Sequence, residues 1–312
     1  MRCGEGRRSR PSPAPRSPLA ARLYHRHEEE PMPEVAPGVD AITLRPDDDN
    51  SPHVYWVRGA DGGVLIDAGH GEDDVSQRVV DEVDRLRGDG PAPHTLLITD
   101  RFDEHCGGFP ALRDAFPGMT VHAGAGDADA IEETAGATLD GRLGGGETFA
   151  AGGDPPRTVR AVATTGHTGG SMCYLLEPDG VLFSGDCVLS AGSTAVHLDL
   201  GGDMAAYVRS LHTLAGLGAR LLLSFHGAPV TDPAARLAEL IAHREARDAS
   251  ILECLHDGVT DLDAMRERLY GDAGLDEWRW NAAREQIRGH LIKLAGERRV
   301  VEVETGEVYR LP

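Results

Sequence analysis

Apolar positions along this chain recur in two periods, and the alternation between them marks its elements. Residues 54–57 (Val-Tyr-Trp-Val) and 64–67 (Val-Leu-Ile-Asp) are short apolar runs on either side of an Asp-Gly-Gly turn, which predicts two adjacent strands. Residues 74–86 then space Val75, Val79, Val83 and Leu86 as one face of a helix. A strand over 94–99, a helix over 111–116 and a strand over 120–122 continue the alternation. From residue 158 three strands come in succession, at 159–163, 172–176 and 181–183, and a helix over 204–217 leads into the apolar run 221–225. This pattern alone predicts an α/β arrangement with strands buried between helices.

After residue 232 the period is helical almost throughout. Helices are expected over 233–255, 262–269 and 281–295, followed by a strand pair at 300–303 and 308–311 around Thr305-Gly306. Three helices and a two-stranded ribbon suggest a winged helix. Residues 1–31 have no such period and carry seven Arg against four Glu, which predicts a disordered basic tail. The expected division is therefore a tail at 1–31, a main domain at 32–232 and a small helical domain at 233–312.

Charge narrows the partners. The chain of 312 residues has a net charge of -20; the tail contributes +3, so the remainder carries -23. Nucleic-acid affinity rests on Lys and Arg neutralising phosphates, so a polyanionic partner is disfavoured. The small domain adds to this, because residues 245–312 hold ten basic and fifteen acidic side chains, a net of -5, and its candidate recognition helix offers only Arg284, Arg288 and Lys293. Trp278 and Trp280, two apart at a helix start, are expected as core anchors rather than stacking groups. No apolar run is long enough to span a bilayer. The five Cys (Cys3, Cys106, Cys173, Cys187 and Cys254) form no CxxC pair, which points to a reducing cytoplasm rather than a disulfide framework.

The chemistry lies at the ends of the apolar runs. The strand over 94–99 ends in Thr99-Asp100-Arg101-Phe102-Asp103-Glu104-His105-Cys106-Gly107-Gly108. Three later runs end in Gly166-His167-Thr168-Gly169-Gly170, Ser184-Gly185-Asp186 and Phe225-His226-Gly227. Each leaves a metal-competent side chain on a loop beside a strand. The four segments, in this order, resemble the metallo-β-lactamase superfamily, whose first loop usually reads His-x-His-x-Asp-His. His105, His167, Asp186 and His226 fall on ligand positions of that pattern, whereas Asp100, Phe102 and Glu104 replace the first His, the second His and the motif Asp.

The resemblance implies an αββα sandwich, here an α+β chain whose metallo-β-lactamase-like domain is followed by the winged-helix module. It covers roughly residues 35–312 and extends to a branch that includes thioesterase-like hydrolases and a single-strand endoribonuclease. It further implies a divalent metal, zinc first and iron or manganese as alternatives, held as one or two ions. One site would take Glu104, His105, Asp186 and His226. The other retains only Asp100, His167 and Asp186, because Phe102 ligates nothing. Three outcomes stay open: one metal with Phe102 walling the pocket, two metals with Asp100 rebuilding the first site, or a metal-free relative. Asp67, at the end of a predicted strand, is expected to orient the metal loop rather than to ligate.

The expected function is a metal-dependent hydrolase of a small or carrier-bound acyl substrate, an ester, thioester or lactone. Asp100 would act as general base, and His167 as ligand or oxyanion-side donor. The alternatives are an iron or manganese enzyme of redox or other non-hydrolytic type, and an inactive relative that uses the old pocket for binding. RNA cleavage conflicts with the charge. The small domain is expected as a lid, a wall or a homodimer contact. His53 and His70 are expected at the pocket border, and His122, His197, His212, His243 and His290 lack ligand spacing and are expected to be structural.

Overall fold

Strand alternation separates three apolar layers, and the computed structural model, which describes residues 34–45 and 50–312, shows them stacked. The basic tail expected at 1–31 lies outside the described residues. The first sheet runs in the order β1 (Val39–Thr43), β2 (His53–Val57), β3 (Val64–Ile66), β4 (Thr95–Ile98), β5 (Thr120–Gly124) and β6 (Gly141–Leu143). Its first three strands are antiparallel and the rest parallel. The second sheet runs from β7 (Thr148–Ala150) through β8 (Thr158–Ala163), β9 (Met172–Glu177) and β10 (Val181–Gly185) to β11 (Leu221–Ser224), with only β10 and β11 parallel.

Side chains that alternate along each strand serve two cores at once. On β4, Leu97 joins Ile66, Tyr174 and Phe183 between the sheets, while Leu96 and Ile98 face the opposite way. There they meet Val75, Val79 and Val83 of α1 (Asp73–Arg87) together with Phe109 and Leu112 of α3 (Phe109–Ala115), past the short α2 (Asp103–Cys106), and Ile131 of α4 (Ala128–Ala135). On β9, Tyr174 and Leu176 point inward, and Cys173 and Leu175 pack outward against Tyr207, Leu211 and Leu214 of α5 (Met204–Ala215). Helix, sheet, sheet and helix therefore form the four layers expected.

Two buried tyrosines tie the sheets together beneath the loops that carry the chemistry. Tyr55 of β2 donates its hydroxyl to the Ser224 carbonyl at 2.6 Å, and Tyr174 of β9 donates to the Ile98 carbonyl at 2.7 Å. Each pins the end of a strand in the opposite sheet, just where β11 runs into His226 and β4 into Asp100. Two glycines set the same region. Gly185 adopts φ 50°, and a Cβ there would sit 2.5 Å from Thr99 Cβ; Gly166 adopts φ 135°, and its Cβ would sit 2.3 Å from the Tyr207 nitrogen. Only glycine lets these backbones approach so closely ahead of Asp186 and His167.

The C-terminal region comprises α6 (Pro233–His256), α7 (Leu262–Tyr270), α8 (Glu277–Gly296) and an antiparallel ribbon of β12 (Val301–Glu304) and β13 (Val308–Arg310). Asp232, Asp261 and Asp276 cap the three helices by accepting from backbone N–H groups at 2.8–3.0 Å. Helix α6 belongs to two cores: Leu237 and Leu240 cover the second sheet, whereas Ile251, Cys254 and Leu255 pack with Met265, Ile287 and Tyr309. The short elements β1, β6, β7 and α4 have no counterpart among the expected ones. They are built from three to eight residues rich in Gly, Ala and Thr, too few to show a period.

Candidate metal centre

The four predicted loops converge at one end of the sandwich. Glu104 and His105 come from α2, Asp186 follows β10, His226 follows β11, and His167 lies between β8 and β9. Ligand atoms of Glu104, Asp186 and His226 all lie within 4.8 Å of one another. His226 Nε2 is 3.5 Å from Glu104 Oε2 and 3.9 Å from Asp186 Oδ2. His105 Nε2 is 3.8 Å from Asp186 Oδ2 and 3.6 Å from Asp100 Oδ2, and His167 Nε2 lies 3.8 Å from the same Asp100 oxygen. All six candidate residues thus meet, with Asp100 Oδ2 between two imidazoles.

Each imidazole is held by its other nitrogen. His105 Nδ1 lies 3.2 Å from Asp67 Oδ2 and 2.9 Å from Thr99 Oγ1, and its ring stacks on Phe225 with centroids 3.7 Å apart. Asp67 also accepts from the Thr99 N–H and hydroxyl at 2.8–3.0 Å, and holds φ 64° to do so. His167 Nδ1 donates to the Ala195 carbonyl at 2.7 Å, and His226 Nδ1 to that of Asn50 at 3.1 Å. With Nδ1 engaged in this way, Nε2 is the atom each ring would offer to a cation at the centre, giving up any proton it carries.

What those atoms face decides the fit to a cation. His105 Nε2, His167 Nε2 and Asp186 Oδ1 are buried and have no hydrogen-bond partner. Buried polar atoms are normally paired, and three carboxylates crowded together repel, so a divalent ion answers both deficits. The donor set, three carboxylates and three imidazoles, suits zinc, iron or manganese.

The electrostatics follow the crowding. Burial chiefly raises Asp100, to about 7; His105 offsets part of this, and the charges of Asp186 and Asp67 add to it. Burial alone would depress His105, but Asp100 and Asp67 outweigh it and raise the imidazole well above its ordinary value. Glu104 is held low mainly by its contact with His226. Burial would raise Asp186, yet His105 and the neighbouring imidazoles hold it low. His167 is pushed down by burial.

Phe102 stands where the family pattern has an imidazole. Its ring lies 5.6 Å from that of His167 and 5.1 Å from that of His197, and it lines a cavity of about 580 Å³ together with Glu104, His167 and Asp186. The far wall of this cavity comes from α6 and α8. His197, His243 and His290, expected to be structural, all line the cavity, His290 as a buried ring bonded to Asp248. No spacing signal flags them, because they reach the cavity from a loop and two distant helices. Trp278 is likewise not a core anchor: it is 70% exposed and borders the cavity. Residues two apart on a helix point to opposite sides, so Trp278 and Trp280 cannot share one core. Trp280 instead lies under Arg266, 4.5 Å from the ring centroid.

The other predicted positions are ordinary. His53 lies in β2 with Nδ1 3.2 Å from Thr43 Oγ1, and His70 pairs with Asp103 at 2.8 Å. Cys106 and Cys187 are buried small side chains. The cations of the candidate recognition helix are engaged internally, Arg284 with Asp263 and Glu307, Arg288 with Glu285, and Lys293 with Asp248 and Glu297. Among the described residues no helix is long and apolar enough to cross a membrane.

Two facing sheets between helices, with carboxylates and imidazoles gathered at the strand ends of both, define an αββα sandwich with a candidate metal centre at one end. The model of the Metallo-beta-lactamase superfamily matches residues 47–226, more than half of the chain, and the protein belongs to that superfamily. The lactamase-like protein nscB of Neosartorya fischeri is 33% identical over 224 residues, covering 72% of this chain and 60% of that protein, so the match spans less than two thirds of that relative's length. The atrochrysone carboxyl ACP thioesterase of Aspergillus chevalieri is 27% identical over 270 residues, 83% of this chain and 80% of the thioesterase. A beta-lactamase domain protein from Burkholderia ambifaria has the same fold, with a TM-score of 0.73 at 22% identity over 89% of this chain and 93% of that one. A metallo-beta-lactamase family protein from Thermus thermophilus superposes with a TM-score of 0.70 at 22% identity, covering 89% of this chain and all of that one.

Proposed function

We propose that this protein is a metal-dependent hydrolase of acyl esters or thioesters, with a thioester on a small or protein carrier as the preferred substrate. One observation carries the reading: Glu104, Asp186 and His226 bring ligand atoms within 4.8 Å of one another, with unpartnered buried atoms on His105, His167 and Asp186 beside them, and Glu104, His167 and Asp186 open onto a cavity of about 580 Å³. That volume suits a small organic substrate. The similarity to a thioesterase over 83% of the chain supports the acyl class.

A divalent ion bound there would lower the pKa of water and polarise the substrate carbonyl. Glu104, His105, Asp186 and His226 would hold it. Asp100, 2% exposed and with Oδ2 facing His105 and His167, is the group placed to accept a proton at that oxygen. The Phe102 N–H donates to the other Asp100 oxygen at 3.1 Å and orients the carboxylate, while the His167 ring beside it is fixed by the Ala195 carbonyl. Phe102 and His197 exclude water from that wall and give the acyl chain an apolar surface.

The excess of carboxylates over the usual imidazole pattern also favours a harder ion, manganese or iron, which keeps a non-hydrolytic reading open. The test is turnover of a panel of N-acetylcysteamine thioesters, esters and lactones by protein of measured metal content. Thioester hydrolysis abolished by Glu104→Ala and by His226→Ala supports the reading. Full activity in either variant, or no turnover across the panel with metal bound, overturns it.

A further inference from the structure

The cavity has two electrical ends. Glu104 and Asp186 line one, and guanidinium groups of α6 and α8 line the other. Arg244 is the anomaly at the second end: it is 3% exposed, yet among the described residues it makes no ion pair with a carboxylate. One of its terminal nitrogens donates to the Thr194 carbonyl at 2.7 Å, its guanidinium lies 5.0 Å from the Tyr207 ring centroid, and its Nε is buried without a partner. Burying a guanidinium without a counter-charge is costly, and a carbonyl and a ring repay only part of it.

Arg247 repeats the pattern one turn further along α6. Its guanidinium stacks 4.5 Å from the Tyr270 ring centroid and has no carboxylate partner among the described residues. Residues three apart share a helix face, so α6 presents two mutually repelling charges to the same cavity. His243, beside them, also lines it. In a chain of net charge -20, whose other helical cations mostly find carboxylates, two unpaired guanidiniums on one cavity wall are a recognition surface lacking its anion.

We propose that the Arg244–Arg247 face of α6 is an anion-binding subsite of the catalytic cavity, so that the substrate carries a second negative group, a carboxylate or a phosphate, remote from the bond that is cut. This rests on the hydrolase reading for its position in the substrate, not for the binding of the anion itself. Trp278, exposed at the rim, adds a flat apolar surface between the anion and the solvent.

The experiment compares kcat/KM for matched thioesters: pentanoyl against glutaryl N-acetylcysteamine, and pentanoyl-N-acetylcysteamine against pentanoyl-phosphopantetheine. Wild-type protein is expected to favour one charged member by about tenfold or more, Arg247→Ala to lower kcat/KM about tenfold more for that member than for its neutral match, and Arg247→Lys to restore part of the difference. A preference for glutaryl places the anion in the acyl part; a preference for phosphopantetheine places it on the carrier arm. If no thioester is turned over, the hydrolase reading has failed, and calorimetric titration with glutarate and with inorganic phosphate still reads the subsite. Binding of either probe that weakens about tenfold in Arg247→Ala supports it. Equal kcat/KM for charged and neutral thioesters, or probe affinity unchanged in both Arg247→Ala and Arg244→Lys, overturns it.

Discussion

The Gln286 side chain and the Val196 backbone bind each other in both directions: Gln286 Oε1 accepts from the Val196 N–H, and Gln286 Nε2 donates to the Val196 carbonyl, each at 3.1 Å. Val196 follows Ala195, whose carbonyl fixes His167, and Arg244 holds the Thr194 carbonyl of the same loop. Helices from the C-terminal region therefore set the ring of a residue at the metal centre. Gln286→Ala should lower kcat by up to about 10-fold, less than the about 10–100-fold of a direct partner of a ligand because Gln286 acts through the backbone beside Ala195, while KM changes little. Melting temperature should fall by only a few degrees for two lost hydrogen bonds. An unchanged kcat and metal affinity would make the clamp purely structural.

Chelation should abolish activity, and readdition of zinc, manganese or iron should restore it to different extents. Glu104→Ala, His105→Ala and His226→Ala should each weaken metal binding by more than the about 10–100-fold of an outer partner. Elemental analysis of protein purified without added metal is the measurement, and retention of a full equivalent in all three would contradict the ligand set.

Phe102→His should raise bound metal from one equivalent towards two, because it returns an imidazole to a position 5.6 Å, ring to ring, from His167 and close to Asp100. Metal content that stays at one equivalent with zinc in excess would show that Asp100 and the surrounding packing, not Phe102 alone, close the first site.

Acid stability should turn on Asp248. Its carboxylate is 4% exposed and accepts from His290 Nδ1 at 2.7 Å and Lys293 Nζ at 2.6 Å. Burial alone would raise it, but those two contacts hold it below the ordinary carboxylate range, while burial pushes His290 below its own ordinary value. Both shifts have the same sign for stability. A depressed His is fully stabilising above 6.5 and loses stability as pH falls below that; a depressed Asp adds its loss further down, below about 4. Denaturant midpoints should therefore decline in two stages on acidification. Asp248→Asn should cost about 1–2 kcal/mol at neutral pH, because His290 loses a charged acceptor and Lys293 keeps only Glu297, and should flatten the lower stage.

Gly185→Ala should destabilise by about 1–3 kcal/mol, since a left-handed backbone and a Cβ 2.5 Å from Thr99 must both be accommodated. Because Thr99 anchors Asp67 and His105, activity should fall further than stability alone requires, as a thermal melt alongside kinetics would show.

The parts of the centre legible from sequence are those where a long apolar run stops at a glycine-flanked polar residue: His167 after Gly166, Asp186 after Gly185, His226 before Gly227. Strand period and ligand chemistry coincide there, and the resemblance in the loop from Thr99 to Gly108 supplies the order. His197, Arg244 and Gln286 were illegible because they reach the cavity through tertiary packing, from a loop and two helices whose spacing encodes only their own cores. Trp278 departs from expectation for a related reason. Hydrophobicity says that an indole prefers to be buried, but its place in the first turn of α8 leaves it at the rim.

Helix α6 enters the second sheet's outer layer at Leu237 and leaves through the C-terminal core at Leu255, without a break between. One helix of 24 residues contributes side chains to both cores, so loosening the far helices removes packing from one end of the element that covers the sandwich. Whatever occupies the space beneath α6 thereby gains a lever on the whole molecule's thermal endurance, and a tight occupant should be detectable as delayed amide exchange as far away as the β12–β13 ribbon.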